Sequence, residues 1–152
     1  MTIKLTDISP VECYRMLARA RYGHLSCCRN GQPYIASVYF AFEGSIAYSF
    51  TMPGKKLDWM RENNRVCLHA EEKFAEGEWT SVVIDGSFEE FPYSESPDSQ
   101  RFHAWSLLQK HSDWWEIGAS KPYKLPLVRQ SPHVFYGVHV ETVSGRRAVR
   151  LD

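Results

Sequence analysis

Residues 24–50 read HLSCCRNGQPYIASVYFAFEGSIAYSF, a stretch in which two turn signals separate segments rich in β-branched and aromatic residues. The turn signals are Asn30-Gly31 and Glu43-Gly44. Asn-Gly is the dipeptide best suited to a type I′ hairpin turn, because both of its residues tolerate a positive φ. The stretch therefore predicts an antiparallel meander of three strands. These strands cover residues 24–29, 32–42 and 45–50.

Further strand patterns predict a sheet larger than this meander. They cover residues 65–70, 79–91 and 134–143. Asp85-Gly86 lies inside the second of them and predicts a bulge or bend, since glycine weakens a strand interior. Residues 71–78 are polar and predict a loop. Hairpin turns argue against a βαβ order, so we expect about six strands in an antiparallel barrel.

Three helix patterns flank the strands within what we expect to be a single domain, residues 1–152. The first helix begins after Ser9, where Pro10 at the first helical position and Glu12 three residues after the serine make a capping box. We expect Gly23 to end that run. Two shorter helices are predicted over residues 55–64 and 99–111.

The composition of the 152 residues is that of a globular protein, with 43% hydrophobic residues. Eighteen basic residues balance eighteen acidic ones, which argues against broad nucleic-acid binding because that requires a basic surplus. No apolar run approaches the roughly 20 residues of a membrane span, and the N-terminus lacks a signal-peptide core. The four cysteines form no CxxC pair and no zinc pattern. We therefore expect reduced thiols, no bound metal and a cytoplasmic location without a membrane partner.

A pair of lysines opens the helix pattern that follows the meander. Residues 44–66 read GSIAYSFTMPGKKLDWMRENNRV, so a glycine loop precedes the pair. Backbone N–H groups at a helix start carry partial positive charge, and Lys55 and Lys56 would complete an anion site there. Hydroxyl groups of Ser49 and Thr51 would add donors, which suits a terminal phosphate. The spacing alone, however, is more typical of a solvent-exposed helix start.

Four segments, taken in order after the first helix, resemble the pyridoxamine-phosphate-oxidase-like superfamily of FMN-binding split barrels, especially the branch related to nitroimidazole-resistance proteins. They are YGHLSC, NGQPYIASVYFAFEG, IAYSFTMPGKKLDWMRENNRVCLH and EWTSVVIDGSFEE, all within residues 9–91. The last one matches the family's W-x-S-V-x-x-x-G pattern. The resemblance implies a mainly β split barrel that forms a homodimer with FMN at its interface. It also implies a flavin-dependent oxidoreductase, similar to a flavin reductase or a nitro/quinone reductase, that acts on a small-molecule electron donor or acceptor.

The resemblance further implies roles for twelve residues of this chain. One strand would follow the isoalloxazine ring with Ile35, Ala36, Ser37 and Val38. The next strand would line the ring and the ribityl chain with Tyr48, Ser49 and Phe50. The phosphate would be held by Lys55 and Lys56. A long neighbouring strand would approach the ring with Trp79, Thr80 and Ser81. No side chain is assigned as a catalytic acid or base.

Two departures from the family narrow the expected activity. Nitroimidazole-resistance proteins carry a histidine where this chain has Ser49, so nitroimidazole reduction receives less support. After residue 100 nothing matches the arginine- and tryptophan-bearing region that oxidises pyridoxamine phosphate, so vitamin B6 oxidation receives less support too. A flavin sensor or storage protein, a haem-binding split barrel and a user of reduced deazaflavin stay open as alternatives. We expect residues 98–132 to shape the substrate side of the pocket.

The histidines give no site by themselves. His24, His69 and His139 fall on predicted strands, where the usual role is that of a half-buried sheet residue. His103 and His111 are eight positions apart on a predicted helix, so their directions differ by about 80°. One of these two would ligate haem under the haem alternative. No pair of nucleophile and base is recognisable in the sequence.

Overall fold

The computed structural model describes residues 1–111 and 129–152 of the chain. Within these residues eight strands and three α-helices follow one another. The strands are β1 (Ile3–Ile8), β2 (Tyr22–Arg29), β3 (Gln32–Tyr39), β4 (Ala41–Glu43), β5 (Ile46–Thr51), β6 (Arg65–Ala75), β7 (Glu78–Phe91) and β8 (Val134–Arg150). The helices are α1 (Pro10–Arg19), α2 (Lys55–Glu62) and α3 (Gln100–Leu108), the last followed by a 3₁₀ turn over Gln109–His111.

The strands form one antiparallel sheet in the order β3-β2-β6-β7-β8-β5-β4. The 17-residue strand β8 holds this sheet together. It pairs with β7 along one edge, and with β5 and then β1 along the other. The sheet surrounds a core without closing, since β3 and β4 lie at its two ends. This is a split barrel, and the predicted fold class is confirmed.

The predicted number of about six strands is wrong, because the described residues contain eight. One addition is β1, whose mostly exposed side chains hide it, although it pairs in register with β8 from Ile3 opposite Arg150. The other addition comes from a break at Phe40 in the strand predicted over residues 32–42. This break arises because β3 pairs with β2 whereas β4 pairs with β5, at opposite ends of the sheet.

Two strand boundaries also differ from the prediction. The loop expected over residues 71–78 shrinks to a turn between β6 and β7, with Gly77 at a φ of 77°. Strand β8 continues past residue 143 to Arg150, where β1 and β7 pair with its two edges. Both places carry exposed charged side chains, such as Glu71, Lys73 and Arg146, and neither shows a continuous apolar pattern. Strand pairing satisfies backbone groups rather than side chains, so a polar pattern does not prevent it.

The bulge predicted in β7 is confirmed, because the β7–β8 register shifts between Asp85 and Gly86. A Cβ on Gly86 would lie 2.1 Å from the carbonyl oxygen of His139 on β8. Real Cβ atoms essentially never come that close to a backbone atom, so only glycine fits here without a backbone shift. The close approach of two strands therefore accounts for the final glycine of the W-x-S-V-x-x-x-G pattern.

The predicted start of α1 is confirmed, since Ser9 Oγ accepts a hydrogen bond from the backbone N–H of Glu12 at 3.2 Å. Its predicted end is wrong. The helix stops at Arg19, and Gly23 belongs to β2 instead. A Cβ at Gly23 would lie 2.4 Å from the carbonyl oxygen of His69, so this glycine allows β2 and β6 to approach.

Two hydrophobic clusters form the interior. The larger one lies inside the barrel and includes Met16 and Leu17 from α1, together with Leu68 and Ile84 from the sheet. The smaller one includes Trp105 and Leu108 from α3. Strand β5 contributes to both clusters, with Ala47 in the larger and Tyr48 in the smaller. This strand therefore connects the barrel interior to the layer under α3.

Residues 112–128, which belong to the segment 98–132 expected to shape the substrate side of the pocket, lie outside the described residues. Within the described ranges, none of the helices combines the length and the apolar character that crossing a membrane requires.

Candidate functional site

The predicted ring-binding segment lies on β3, the strand at one end of the sheet. Its side chains alternate between the two faces of the sheet. Ile35 is 64% exposed on the outer face, while Val38 is buried in the barrel core. In the described part of the chain β3 pairs only with β2, so its other edge presents backbone N–H and C=O groups to a ligand.

The structure separates the three residues predicted on β5. Ser49 is buried and donates a hydrogen bond to the carbonyl oxygen of Tyr39, the last residue of β3, at 2.5 Å. Tyr48 is buried in the cluster under α3, with its ring edge-on to His103 at 5.3 Å. Phe50 packs against Phe135 in the same layer. Ser49 is therefore bonded to β3, whereas the rings of Tyr48 and Phe50 belong to the layer under α3.

Tyr136 lies opposite Ser49 across the β5–β8 pair, and burial raises the pKa of its phenol to about 12. An unfolded tyrosine loses its proton near pH 10, so raising the pH from 10 to 12 stabilises the unfolded chain relative to the folded one. We expect the free energy of unfolding to fall by about 1 kcal/mol more in the wild type than in Tyr136→Phe between pH 9 and pH 11. Urea titrations at both pH values measure this, and equal losses in the two proteins would contradict it.

Both candidate phosphate ligands lie at the start of α2. The exposed Lys55 Nζ lies 4.7 Å from the ring centroids of Tyr34 and of Trp59. Lys56 is half-buried, and burial lowers the pKa of its ammonium group. Among the described residues neither lysine has a carboxylate oxygen within 4.0 Å of Nζ. Because Tyr34 directly precedes Ile35, the ammonium group of Lys55 lies beside the start of the predicted ring-binding segment.

The first turn of α2 adds backbone donors to this pair of lysines. Gly54 occupies the N-cap position, and no side chain caps the helix. The N–H groups at the start of an uncapped helix are free to bind an anion. The start of this eight-residue helix therefore places two lysines next to its own backbone donors, and their binding of a phosphate stays a prediction.

The segment predicted on β7 faces two ways. Thr80 is buried toward the interior, whereas Trp79 and Ser81 are half-buried. The Ser81 hydroxyl lies 2.9 Å from Nε2 of His69 on β6. Ser81 is therefore part of the outer face of the sheet and has a hydrogen-bonding partner there.

A row of polar and aromatic side chains connects β3 with β7 across this outer face. The Tyr22 hydroxyl donates to Ser37 Oγ at 2.9 Å, and the Tyr22 ring is edge-on to His24 at 5.4 Å. The His24 ring stacks on His69, with centroids 5.9 Å apart, and His69 reaches Ser81. The structure thus brings Ser37 and Ser81 onto one connected surface, although β2 and β6 lie between their strands.

Sequence reasoning missed Tyr22, His24 and His69 as members of this surface. The alternation of strand residues could place Tyr22 and His24 on one face of β2. It could not show that His24 lies opposite His69, because that depends on the register between β2 and β6.

The outer face also contains a groove made of two adjoining hollows, of about 480 and 250 Å³. Both hollows are lined by Glu71 and Lys73, whose side chains pair at 3.6 Å. The larger hollow also contains Trp79 and Ser81, and the smaller one contains Tyr22 and His24. A third hollow of about 460 Å³ lies farther along the face, around Cys28 and Cys67. The groove contains two of the residues predicted to approach the ring, Trp79 and Ser81.

Comparison with known proteins identifies the family. The pyridoxamine 5'-phosphate oxidase family matches residues 9–147. The chain belongs to this family. Because the match continues to residue 147, the family relationship extends beyond residues 9–91, where the sequence segments first indicated it.

Relatives agree with this assignment. An uncharacterized protein of Rhizobium meliloti (strain 1021) is 40% identical over 141 residues, which is 93% of each chain. A FAD-binding protein from Mesorhizobium loti, known from its crystal structure, is 40% identical to this chain. The two structures superpose with a TM-score of 0.80, and the match covers 98% of this chain and 100% of that one. A putative 5-nitroimidazole antibiotic resistance protein from Bacteroides thetaiotaomicron shares the fold, with 19% identity, a TM-score of 0.69, and coverage of 99% and 93%. The split barrel of the pyridoxamine 5'-phosphate oxidase family is therefore confirmed, while the roles of individual residues remain predictions.

Proposed function

We propose that this chain binds a flavin nucleotide along β3, with the phosphate at Lys55 and Lys56, and serves as a flavin-dependent oxidoreductase. The observation that carries the proposal is the uncapped, doubly lysine-bearing start of α2 beside Tyr34, directly before Ile35. A bound flavin would supply hydride or electron transfer. The chain itself would hold the phosphate, present backbone groups along β3 to the polar ring, and exclude water with the buried side of the strand.

FMN is the cofactor we propose, and FAD is the second candidate. The Mesorhizobium loti relative, described as FAD-binding, favours FAD. The ring, the ribityl chain and the first phosphate are common to both, and Lys55 is exposed, so an adenosine group could extend into solvent. Parallel fluorescence titrations with FMN and FAD separate the two. Tighter binding of FMN supports the first choice, and binding of neither contradicts the proposed function.

We also propose that a second copy of the chain covers the outer face and completes the site, as the family resemblance implies. The exposed Ile35 and the open groove beside Ser81 support this, because a flat ring against β3 would otherwise remain open to water on one side. Analytical ultracentrifugation of the flavin-loaded protein tests it.

The four cysteines are free thiols, which supports a location in the reducing cytoplasm.

The absorption spectrum of the purified protein distinguishes the alternatives. Flavin bands are the expected result, whereas a Soret band without them would identify a haem protein. Flavin-loaded protein that neither accepts hydride from a reduced nicotinamide nor passes it to a small-molecule acceptor would instead be a sensor or storage protein. A side-by-side titration with deazaflavin tests the remaining alternative. The physiological electron donor and acceptor are small molecules in this proposal.

A bulky side chain at position 37 should exclude the ring. We expect Ser37→Phe to weaken FMN binding at least tenfold, because the new ring would occupy space at the exposed side of β3. Ser37→Ala removes the hydrogen bond from Tyr22 but leaves that space free, so it is the matched control. Fluorescence titration measures both affinities. Unchanged FMN binding by Ser37→Phe would place the ring away from this strand.

A further inference from the structure

The Ser81 hydroxyl has two possible partners, one within the protein and one in the groove. Its oxygen lies 2.9 Å from His69 Nε2, and Ser81 also lines the hollow of about 480 Å³. A serine hydroxyl has one proton to donate and two lone pairs. If His69 Nε2 donates the hydrogen bond to Ser81 Oγ, the Ser81 proton is free to point into the groove. If Ser81 donates to His69 instead, the groove is offered only a lone pair of the hydroxyl.

We propose that His69 is a positioning residue that sets the hydrogen-bonding direction of Ser81 toward the flavin. A protonated His69 donates from Nε2 to Ser81 Oγ, which leaves the Ser81 O–H to donate into the groove. A neutral His69 can accept from Ser81, and the hydroxyl then offers only lone pairs to the groove. The proposal rests on the proposed flavin binding and identifies a residue to which no role in that site was assigned.

The chemistry of the ring determines the sign of the effect. The polar edge of an oxidised isoalloxazine consists largely of carbonyl oxygens and pyridine-type nitrogens, which accept hydrogen bonds. A donor at Ser81 matches these atoms, so protonation of His69 should tighten binding of oxidised flavin. Protonation of His69 then makes the affinity for FMN depend on pH, in addition to the dependence that titration of the FMN phosphate causes.

Several titratable groups surround His69 on the strands that pack beside it. They are Tyr22 and His24 on β2, Cys67, Glu71 and Lys73 on β6, and Asp85 on β7. The charged Arg146 on β8 lies directly opposite Ser81. Glu71 and Lys73 form an ion pair at 3.6 Å, so their charges offset each other. His24 is stacked on His69 with an interplanar angle of 23°, so it is the neighbouring ring in direct contact with His69.

The test is the ratio of FMN affinity at pH 5.5 to that at pH 8 in wild type and in His69→Gln. Titration of the FMN phosphate contributes equally to both proteins and cancels when the two ratios are compared. We expect the wild-type ratio to exceed that of His69→Gln by about fivefold, since a charged partner strengthens a hydrogen bond. Ser81→Ala should lose the same pH dependence. His139→Gln is the matched control, because His139 also bonds through Nε2, to Glu89 at 2.8 Å, and should keep the wild-type ratio.

A second measurement does not require flavin. In the ligand-free protein, ¹⁵N NMR should show that Ser81→Ala shifts the His69 Nε2 resonance, and an unshifted resonance would overturn the proposal. Equal affinity ratios in wild type and His69→Gln would overturn it as well, even when both proteins bind FMN. Failure of the wild type to bind any flavin contradicts the proposed function instead, so the two failures are distinguishable.

Discussion

Replacing Lys55 and Lys56 together by alanine is expected to weaken FMN binding at least 100-fold. Hydrogen bonds from charged donors to phosphate contribute about 1.5–3 kcal/mol each, and two of them would be lost together. The helix should survive, because alanine is the best helix former and α2 remains anchored by the buried Leu57, Trp59 and Met60. Fluorescence titration measures the affinity, and circular dichroism checks the fold.

The matched control removes the same charge elsewhere. Lys4 on β1 and Lys110 after α3 are both exposed, so Lys4→Ala with Lys110→Ala also lowers the net charge by two. We expect this control to bind FMN like the wild type. An equal loss in both double variants would mean that overall charge attracts FMN, and unchanged affinity of the Lys55/Lys56 variant would remove the phosphate from α2.

Gly86→Ala is expected to destabilise the fold by about 2–4 kcal/mol, through overpacking and a weakened hydrogen-bond ladder. The added Cβ would lie 2.1 Å from the backbone oxygen of His139. Neither strand can yield easily, since β7 is paired on both sides, with β6 and with β8. Urea denaturation measures the change in the free energy of unfolding.

Gly54→Ala is the control for Gly86→Ala, because it also replaces a glycine by alanine but at a place without a close neighbouring strand. A Cβ at Gly54 meets no atom within 4 Å, and its φ of 169° is extended backbone that any residue adopts. We expect a loss below about 1 kcal/mol, typical of an N-cap change. Similar losses in both variants would contradict the argument from close strand approach.

Much of the fold followed from local signals. Asn30 and Gly31 do adopt positive φ values, of 51° and 78°, as the hairpin between β2 and β3 requires. The serine cap of α1 also formed as its pattern indicates. These features depend on residues close together in the sequence, so the pattern contains the information that forms them.

Edge strands and strand ends were harder to predict. β1 is mostly exposed, and the second half of β8 mixes exposed arginines with the buried Ala148, yet the two strands pair over six residues from Ile3 to Ile8. Their pairing is stabilised by backbone hydrogen bonds to a partner more than a hundred residues away. A periodicity of hydrophobic residues records burial of side chains, and it is silent where a strand is paired but exposed.

The candidate site also has a part that the local sequence predicts and a part that the arrangement of the strands decides. A strand, a glycine loop and two lysines in order were enough to predict a helix that starts at Lys55, and the anion bound by the donors of that helix start stays a prediction. Tyr48 and Ser49 are neighbours in sequence, but they face different hydrophobic clusters, since alternate strand residues point to opposite sides of the sheet.

Local residue order thus accounts for the hairpin, the capped helix and the lysine-bearing start of α2. The pairing of strands accounts for the surface that joins Ser37, His24, His69 and Ser81. His69 and Ser81 are twelve residues apart in the chain, and a shift of one residue in the register would turn either side chain to the other face. Register is set by the packing of the whole barrel, which is why the role proposed for His69 emerged only from the folded chain.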